Sequence, residues 1–340
     1  MRVLWMLVST VALLAGVAAA QGGAAEPLSP RETVRVAYVS ITKFGTLYVA
    51  AERGLFDAYG LDVQIDRVAS GTEAIAFLEQ GQIDVGGIAI VVSLWNGWDQ
   101  GLDIRVIAPG GLEPFEGSPT KLMLRSDLAD SVTSIEDLRG RTVAVAGGPG
   151  SGGEYLAAKA LERGGLTIFD VNLVNVANAD MPLSFESGAI DAGILGAPFA
   201  DQAEATGSAV PFAEDLTPGL MTVAFVGSGR FVEERPEVAR RFALALLEAA
   251  RLMQGDDLYS PENIEAFLRF LPGTTAEALT TGAPVIFDPN QEIPVDGLAD
   301  VERVHRENGR TAYETPIDLA SVVEPAFMAW ALEQLGPYQD

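Results

Sequence analysis

The chain has no cysteine, one histidine and, by count along the sequence, three lysines (Lys43, Lys121, Lys159) in 340 residues. Without cysteine there are no disulfides, no thiolate metal sites, no thiol nucleophile and no lipid anchor attached through an N-terminal Cys. The single histidine, His305, stands between Arg303 and Arg306 in a polar segment and reads as a solvated residue. That leaves no Ser-His-Asp triad near the loops described below and no histidine-based metal site. We therefore expect no catalytic residue, no metal and no cofactor. Basic residues are scarce overall: 22 Lys and Arg face 47 Asp and Glu, for a formal charge of −25. A surface this acidic repels nucleic acid and anionic lipid, so neither is expected as a partner.

Long apolar runs are also missing, with one exception. Met1 to Ala20 carries Arg2, an apolar stretch and Ala18-Ala19-Ala20 before Gln21, the pattern of a secretory signal peptide with an A-x-A cleavage site. The expectation is an exported, periplasmic protein with a linker over 21–33 that is not lipid-anchored. With 48% hydrophobic residues, the remainder has enough apolar material for one large or two medium domains.

The chain is organised around Thr142 to Leu156, TVAVAGGPGSGGEYL, which reads as strand, glycine loop and helix start. The β-branched run makes a buried strand, Gly and Pro end it, and Ser151 stands where an N-cap belongs. Gly148, Gly150 and Gly153 fit G-x-G-x-x-G, which raises a dinucleotide-dependent oxidoreductase as the alternative function. Pro149 is awkward in that motif, and the acid expected after the next strand is Asp180 at best, well over the usual spacing of about 20 residues. No Lys-Ser/Thr follows the glycines, so this is not a P-loop.

From Val34 the order is strand and helix in alternation: strands at 34–39, 61–65, 83–88 and 104–107, with helices Leu47 to Tyr59 and Glu73 to Gln80. The same order returns from Thr142, with strands at 142–146, 171–176, 190–195 and 209–212. Repeated βα units predict mostly parallel sheets covered by helices. The clearest echo is Gly81-Gln82-Ile83-Asp84-Val85-Gly86 against Gly188-Ala189-Ile190-Asp191-Ala192-Gly193. Two lobes of one plan follow, 34–119 plus 227–340 and 120–226, joined by a hinge of two crossings. Residues 120–124 lead in and 221–226 lead out. Beyond Phe231 we expect amphipathic helices at 236–254, 261–270, 275–281, 295–307 and 317–335 that cover the first lobe.

With this organisation the chain resembles the substrate-binding proteins of ABC importers, in the branch of nitrate, taurine and aliphatic-sulfonate binders and thiamine-pyrimidine relatives. The residues that carry the resemblance are LYVAAERGLF at 47–56 with Gly60-Leu61-Asp62-Val63, the two Gly-x-Ile-Asp-x-Gly segments, and IEDLRGRTVA at 135–144. The resemblance implies an α/β, type II-like periplasmic binding protein fold that closes on a small-molecule solute and delivers it to the membrane subunits of an ABC permease; we expect a monomer.

Ligands of open α/β sheets sit outside the carboxyl ends of the strands. The loops at those ends nominate Thr42, Lys43, Phe44, Ser70, Gly71, Thr72, Ile88 and Phe115 from the first lobe. Ser151, Gly152, Gly153, Asp180, Pro198 and Phe199 come from the second. Helix starts at Ser70 and Ser151 suit an oxyanion, or the serines serve only as caps. Lys43 either pairs an anionic head or faces solvent. Glu113, Glu116, Asp180 and Asp201 lie in or beside these loops and no Arg does, so a zwitterion or an amine-bearing heteroaromatic remains open beside sulfonate, nitrate and pyrimidine.

Overall fold

A computed structural model describes residues 24–339 apart from 69, 197, 198, 282 and 283. The expected signal peptide and Pro198 lie outside the described residues. Among the described residues no helix is long and apolar enough to cross a membrane.

Among the described residues ten strands form two five-stranded sheets. The first contains β1 (Glu32–Val39), β2 (Leu61–Val68), β3 (Val85–Ala89), β4 (Ile104–Pro109) and, from far along the chain, β10 (Val223–Ser228), in the order β2-β1-β3-β10-β4. The second contains β5 (Thr120–Arg125), β6 (Thr142–Val145), β7 (Asn172–Asn175), β8 (Ala192–Gly196) and β9 (Ala209–Ala213), in the order β7-β6-β8-β5-β9. This is the two-lobed α/β fold that the alternation predicts.

Each sheet is parallel except for one strand. β10 runs antiparallel to β3 and β4, and β5 runs antiparallel to β8 and β9. These are the two segments expected only to lead between the lobes. A chain that crosses straight over without a helix enters the next sheet against its direction, since only an antiparallel neighbour needs no long crossover. Each lobe therefore contributes a central strand to the hinge.

The internal echo is structural. Asp84 N donates to Arg35 O at 2.8 Å and its carboxylate accepts from Arg35 N at 2.8 Å. Asp191 N donates to Thr142 O at 2.9 Å and its carboxylate accepts from Thr142 N at 2.9 Å. In both lobes the aspartate closes the free end of a parallel strand pair, and a positive-φ glycine, Gly81 or Gly188, turns the preceding helix into it.

The two crossings run side by side. Glu113 N donates to Leu220 O at 2.9 Å, Gly219 N to Glu113 O at 3.1 Å, and Ser118 N to the Asp215 carboxylate at 2.8 Å. The helix expected at 47–59 is two helices, Gly45–Glu52 and Leu55–Ala58, split by Gly54 at φ 69. The last expected helix is also divided, into Leu319–Val322 and Ala326–Leu335, with Pro325 before the second.

Helices Pro236–Arg251 and Ala326–Leu335 bury their apolar faces against each other and the first sheet. Helix Val295–Glu307 departs from the expectation that the tail covers only the first lobe. It packs on helix Gly152–Glu162 of the second lobe, with Leu298, Val301 and Val304 buried in the core shared with that helix. Tyr155 Oη donates to Asp300 at 2.8 Å, Lys159 pairs with Asp300 at 3.0 Å, and Arg303 pairs with Glu162 at 2.9 Å. The chain thus returns to the second lobe as a strap.

Candidate functional site

The glycine loop after β6 is a tight corner built around Ser151. Its Oγ accepts from Glu154 N at 3.2 Å and donates to Ala146 O at 3.0 Å, so the helix start is capped from within. Two glycines are required there. Gly150 has φ 76, and a Cβ on it would stand 3.0 Å from Val92 Cγ2 of the first lobe. A Cβ on Gly153 would stand 2.7 Å from Ala146 O, a backbone atom that has no rotamer to move. The G-x-G-x-x-G spacing here serves close helix-to-strand and lobe-to-lobe approach. Gly153→Ala should cost about 1–3 kcal/mol through overpacking; an unchanged urea midpoint would contradict that contact.

The same corner argues against the dinucleotide alternative. Glu154 is fully buried at the helix start, and its carboxylate accepts from Gly150 N at 3.3 Å. A pyrophosphate bound by the glycine loop would face a buried carboxylate where the motif needs free N–H groups. Arg310 compensates that charge, with Nε and Nη2 donating to both carboxylate oxygens at 2.8, 3.0 and 2.7 Å. The hydrogen bond with Glu154, more than burial, holds the Arg310 guanidinium above its ordinary pKa. Gly309, at φ 65, ends the preceding helix and aims Arg310 back across the strap.

Among the described residues, cavities lie between the lobes, two of which matter here. One, of about 280 Å³, is bordered by Thr42, by Thr120 and Gly196 of the second sheet, and by tail residues including Tyr259 and Phe287. The other, of about 250 Å³, lies at the carboxyl end of β3, from Ala89 to Val91, and at the start of β10. Gly152, Tyr155 and Leu156 close it from the second lobe, and Val301 and His305 from the strap. Between the lobes the Lys43 ammonium donates to the Glu113 carboxylate and, at 2.7 Å, to Thr222 Oγ1. Lys43 is therefore an internal ion-pair partner, neither a free cation nor a solvated one.

The other nominated residues divide. Thr42 and Gly152 border the two interlobe cavities. Phe44 and Ile88 are corrections: both are at 0% exposure, Phe44 edge-on to Phe225 in the core of the first lobe and Ile88 in the core shared with helix Gly152–Glu162, so neither offers surface to a solute. Ser70 caps the helix Gly71–Glu79 by accepting from Glu73 N at 3.3 Å, with Thr72 exposed beside it. Asp180 is exposed, Phe199 packs against the buried cluster around Met123, Met181, Phe185 and Leu195 in the second lobe, and Phe115 stands 63% exposed against Gly219.

Sequence reasoning missed two residues. Arg67, at the carboxyl end of β2, borders an open hollow of about 540 Å³ with Ser40 and Glu73, so an arginine does lie beside the loops. His305, expected in solvent, is 1% exposed and borders the interlobe cavity, and among the described residues its Nδ1 has no hydrogen-bond partner. Burial, with Arg310 nearby and against the pull of Glu154, lowers its pKa from 6.5 to about 4. The imidazole is neutral at pH 7. A helical repeat with Leu298, Val301, Val304 and His305 on one face was the available signal.

The profile of the NMT1-like family matches residues 28–270. The chain belongs to the NMT1-like family. Among the curated relatives of this NMT1-like protein is a riboflavin-binding protein, RibY, of Chloroflexus aurantiacus. It is 25% identical over 266 residues, which are 73% of this chain and 68% of the relative. Among solved structures, the periplasmic sulfonate-binding protein SsuA of Methylobacillus flagellatus superposes with a TM-score of 0.69 at 19% identity, covering 91% of this chain and 96% of that one. The desulfurization enzyme DszB superposes with a TM-score of 0.61 at 19% identity, covering 90% and 100%. At these identities the structural likeness establishes the fold: binding proteins and an enzyme share it.

Proposed function

We propose that this NMT1-like protein is an exported, periplasmic solute receptor. It takes one small organic solute between its lobes and hands it to the membrane subunits of an ABC permease. The expected lobe bounds 34–119 plus 227–340 and 120–226 shift by one strand, because β10 (Val223–Ser228) belongs to the first sheet; these lobes, with solute contact at Thr42, Gly152 and the helix start at Ser70, belong to this reading. The observation that carries it is the pair of cavities between the sheets, bordered from both lobes and flanking a two-strand hinge. The fit to relatives named as binding proteins supports it. Solute exchange then needs the lobes to part and close about residues 110–119 and 214–222.

The test is a thermal-shift panel on the mature protein with taurine, alkyl sulfonates, nitrate, riboflavin, nicotinamide and NAD, followed by small-angle scattering of any hit. One solute should raise Tm by mass action and shrink the radius of gyration. Stabilisation by NAD alone would overturn the reading.

A further inference from the structure

The cavity beside His305 has a chemical character that the receptor reading leaves open. Its walls are mainly aliphatic and aromatic, from Ile90, Val91, Tyr155, Leu156 and Val301. Among the described residues its only charged lining residue is an acid, Glu113, whose partner Lys43 is already engaged. The nearby cations are also spoken for: Arg310 by Glu154, and Arg303 by Asp300, Glu162 and Glu307. The helix start at Gly152 offers an anion little, because Glu154 already places a buried carboxylate in that first turn. An anion entering here would lose its hydration and meet no free positive charge.

What the cavity does offer is one unsatisfied polar group. His305 borders this mainly apolar cavity, and among the described residues its buried Nδ1 has no hydrogen-bond partner; a neutral imidazole pairs equally well with an N–H or a carbonyl, according to its tautomer. The volume of about 250 Å³ falls below the roughly 300–1,000 Å³ of sites for drug-sized ligands, so the fit is to a single ring. We propose that this cavity recognises an uncharged, ring-sized solute through apolar contact and one hydrogen bond to His305, and that it excludes sulfonates and nitrate. The inference rests on the receptor reading and names its substrate class. His305 becomes a specificity residue supplied by the strap, outside both sheets. Arg67 belongs to a separate hollow and does not alter the charge of this one.

The experiment titrates the mature protein with 2-pyridone, nicotinamide, butanesulfonate, taurine and nitrate by calorimetry. It repeats this for His305→Phe, His305→Gln and Val301→Trp, each checked for folding by circular dichroism. An uncharged ring should bind saturably, weaken about tenfold in His305→Phe, recover part of that in His305→Gln, and be lost in the cavity-filling Val301→Trp. Retained ring binding in both His305→Phe and Val301→Trp would overturn the pocket assignment. Binding of an anion that Val301→Trp abolishes would overturn the charge argument while the receptor reading stands. Silence from both ring probes, with a hit elsewhere in the wider panel, would overturn this inference alone. If Val301→Trp does not fold, the two His305 variants decide.

Discussion

Arg310→Ala is expected to destabilise the protein by about 3–5 kcal/mol, the usual cost of leaving a buried charge without its partner. Glu154 has no exposed side-chain surface, and the guanidinium makes three hydrogen bonds to its two oxygens. With Arg310 gone, the carboxylate keeps one contact, from Gly150 N at 3.3 Å. Urea denaturation followed by far-UV circular dichroism measures the loss. The double variant Glu154→Gln/Arg310→Ala should recover more than half of it, because an amide in the same place needs no counter-charge. A single variant within about 0.5 kcal/mol of wild type, the range of ordinary surface substitutions, would mean that the strap does not depend on this pair.

Acidification from pH 7 to pH 4 should cost about 3 kcal/mol through His305 alone. Its folded pKa is about 4 against 6.5 for the free side chain. Between those values the unfolded chain holds a proton that the folded chain refuses. Stability therefore rises with pH across that window and is lost as pH falls through it, at about 1.4 kcal/mol per unit of pKa difference. The charged groups nearest to His305 oppose each other, Glu154 raising and Arg310 lowering its pKa, so burial decides the sign. Tyr155, whose ring centroid is 6.0 Å away, is held protonated by burial and by Asp300 throughout. Denaturation midpoints at several pH values should fall steeply for the wild type and much less for His305→Gln. Equal slopes would remove the histidine from the acid response. Asp300 and Glu162 add to the response from about their ordinary values of 3.8 and 4.5 downward, since their folded pKa values are lowered despite burial, held there by Arg303 and Lys159.

Both predictions concern residues 295–310, where the sequence was read least well, and the reason is physical. Helix boundaries there were legible: Val295 to Glu307 is the helix that the spacing predicts. Which neighbour receives the apolar face was not, because a stripe of Leu298, Val301 and Val304 fits any complementary apolar surface. His305 was misjudged with it. Arg303 and Arg306 flank it in sequence but point to other faces of the helix, so local polarity said nothing about its burial.

Local chain chemistry determined the elements themselves. β-branched runs set strands, serine caps and left-handed glycines set helix ends, and the repeated Gly-x-Ile-Asp-x-Gly set the same corner in each lobe, because those preferences act over a few residues. Tertiary structure alone decided that the two crossing segments become antiparallel central strands, that Lys43 is spent on Glu113, that Phe44 and Ile88 belong to the cores, and that Arg310 reaches Glu154. Each of these joins residues far apart in the chain, in the last case by 156 positions. The opposite charges and apolar faces that meet there had many possible partners along the sequence, and only the folded chain selects among them.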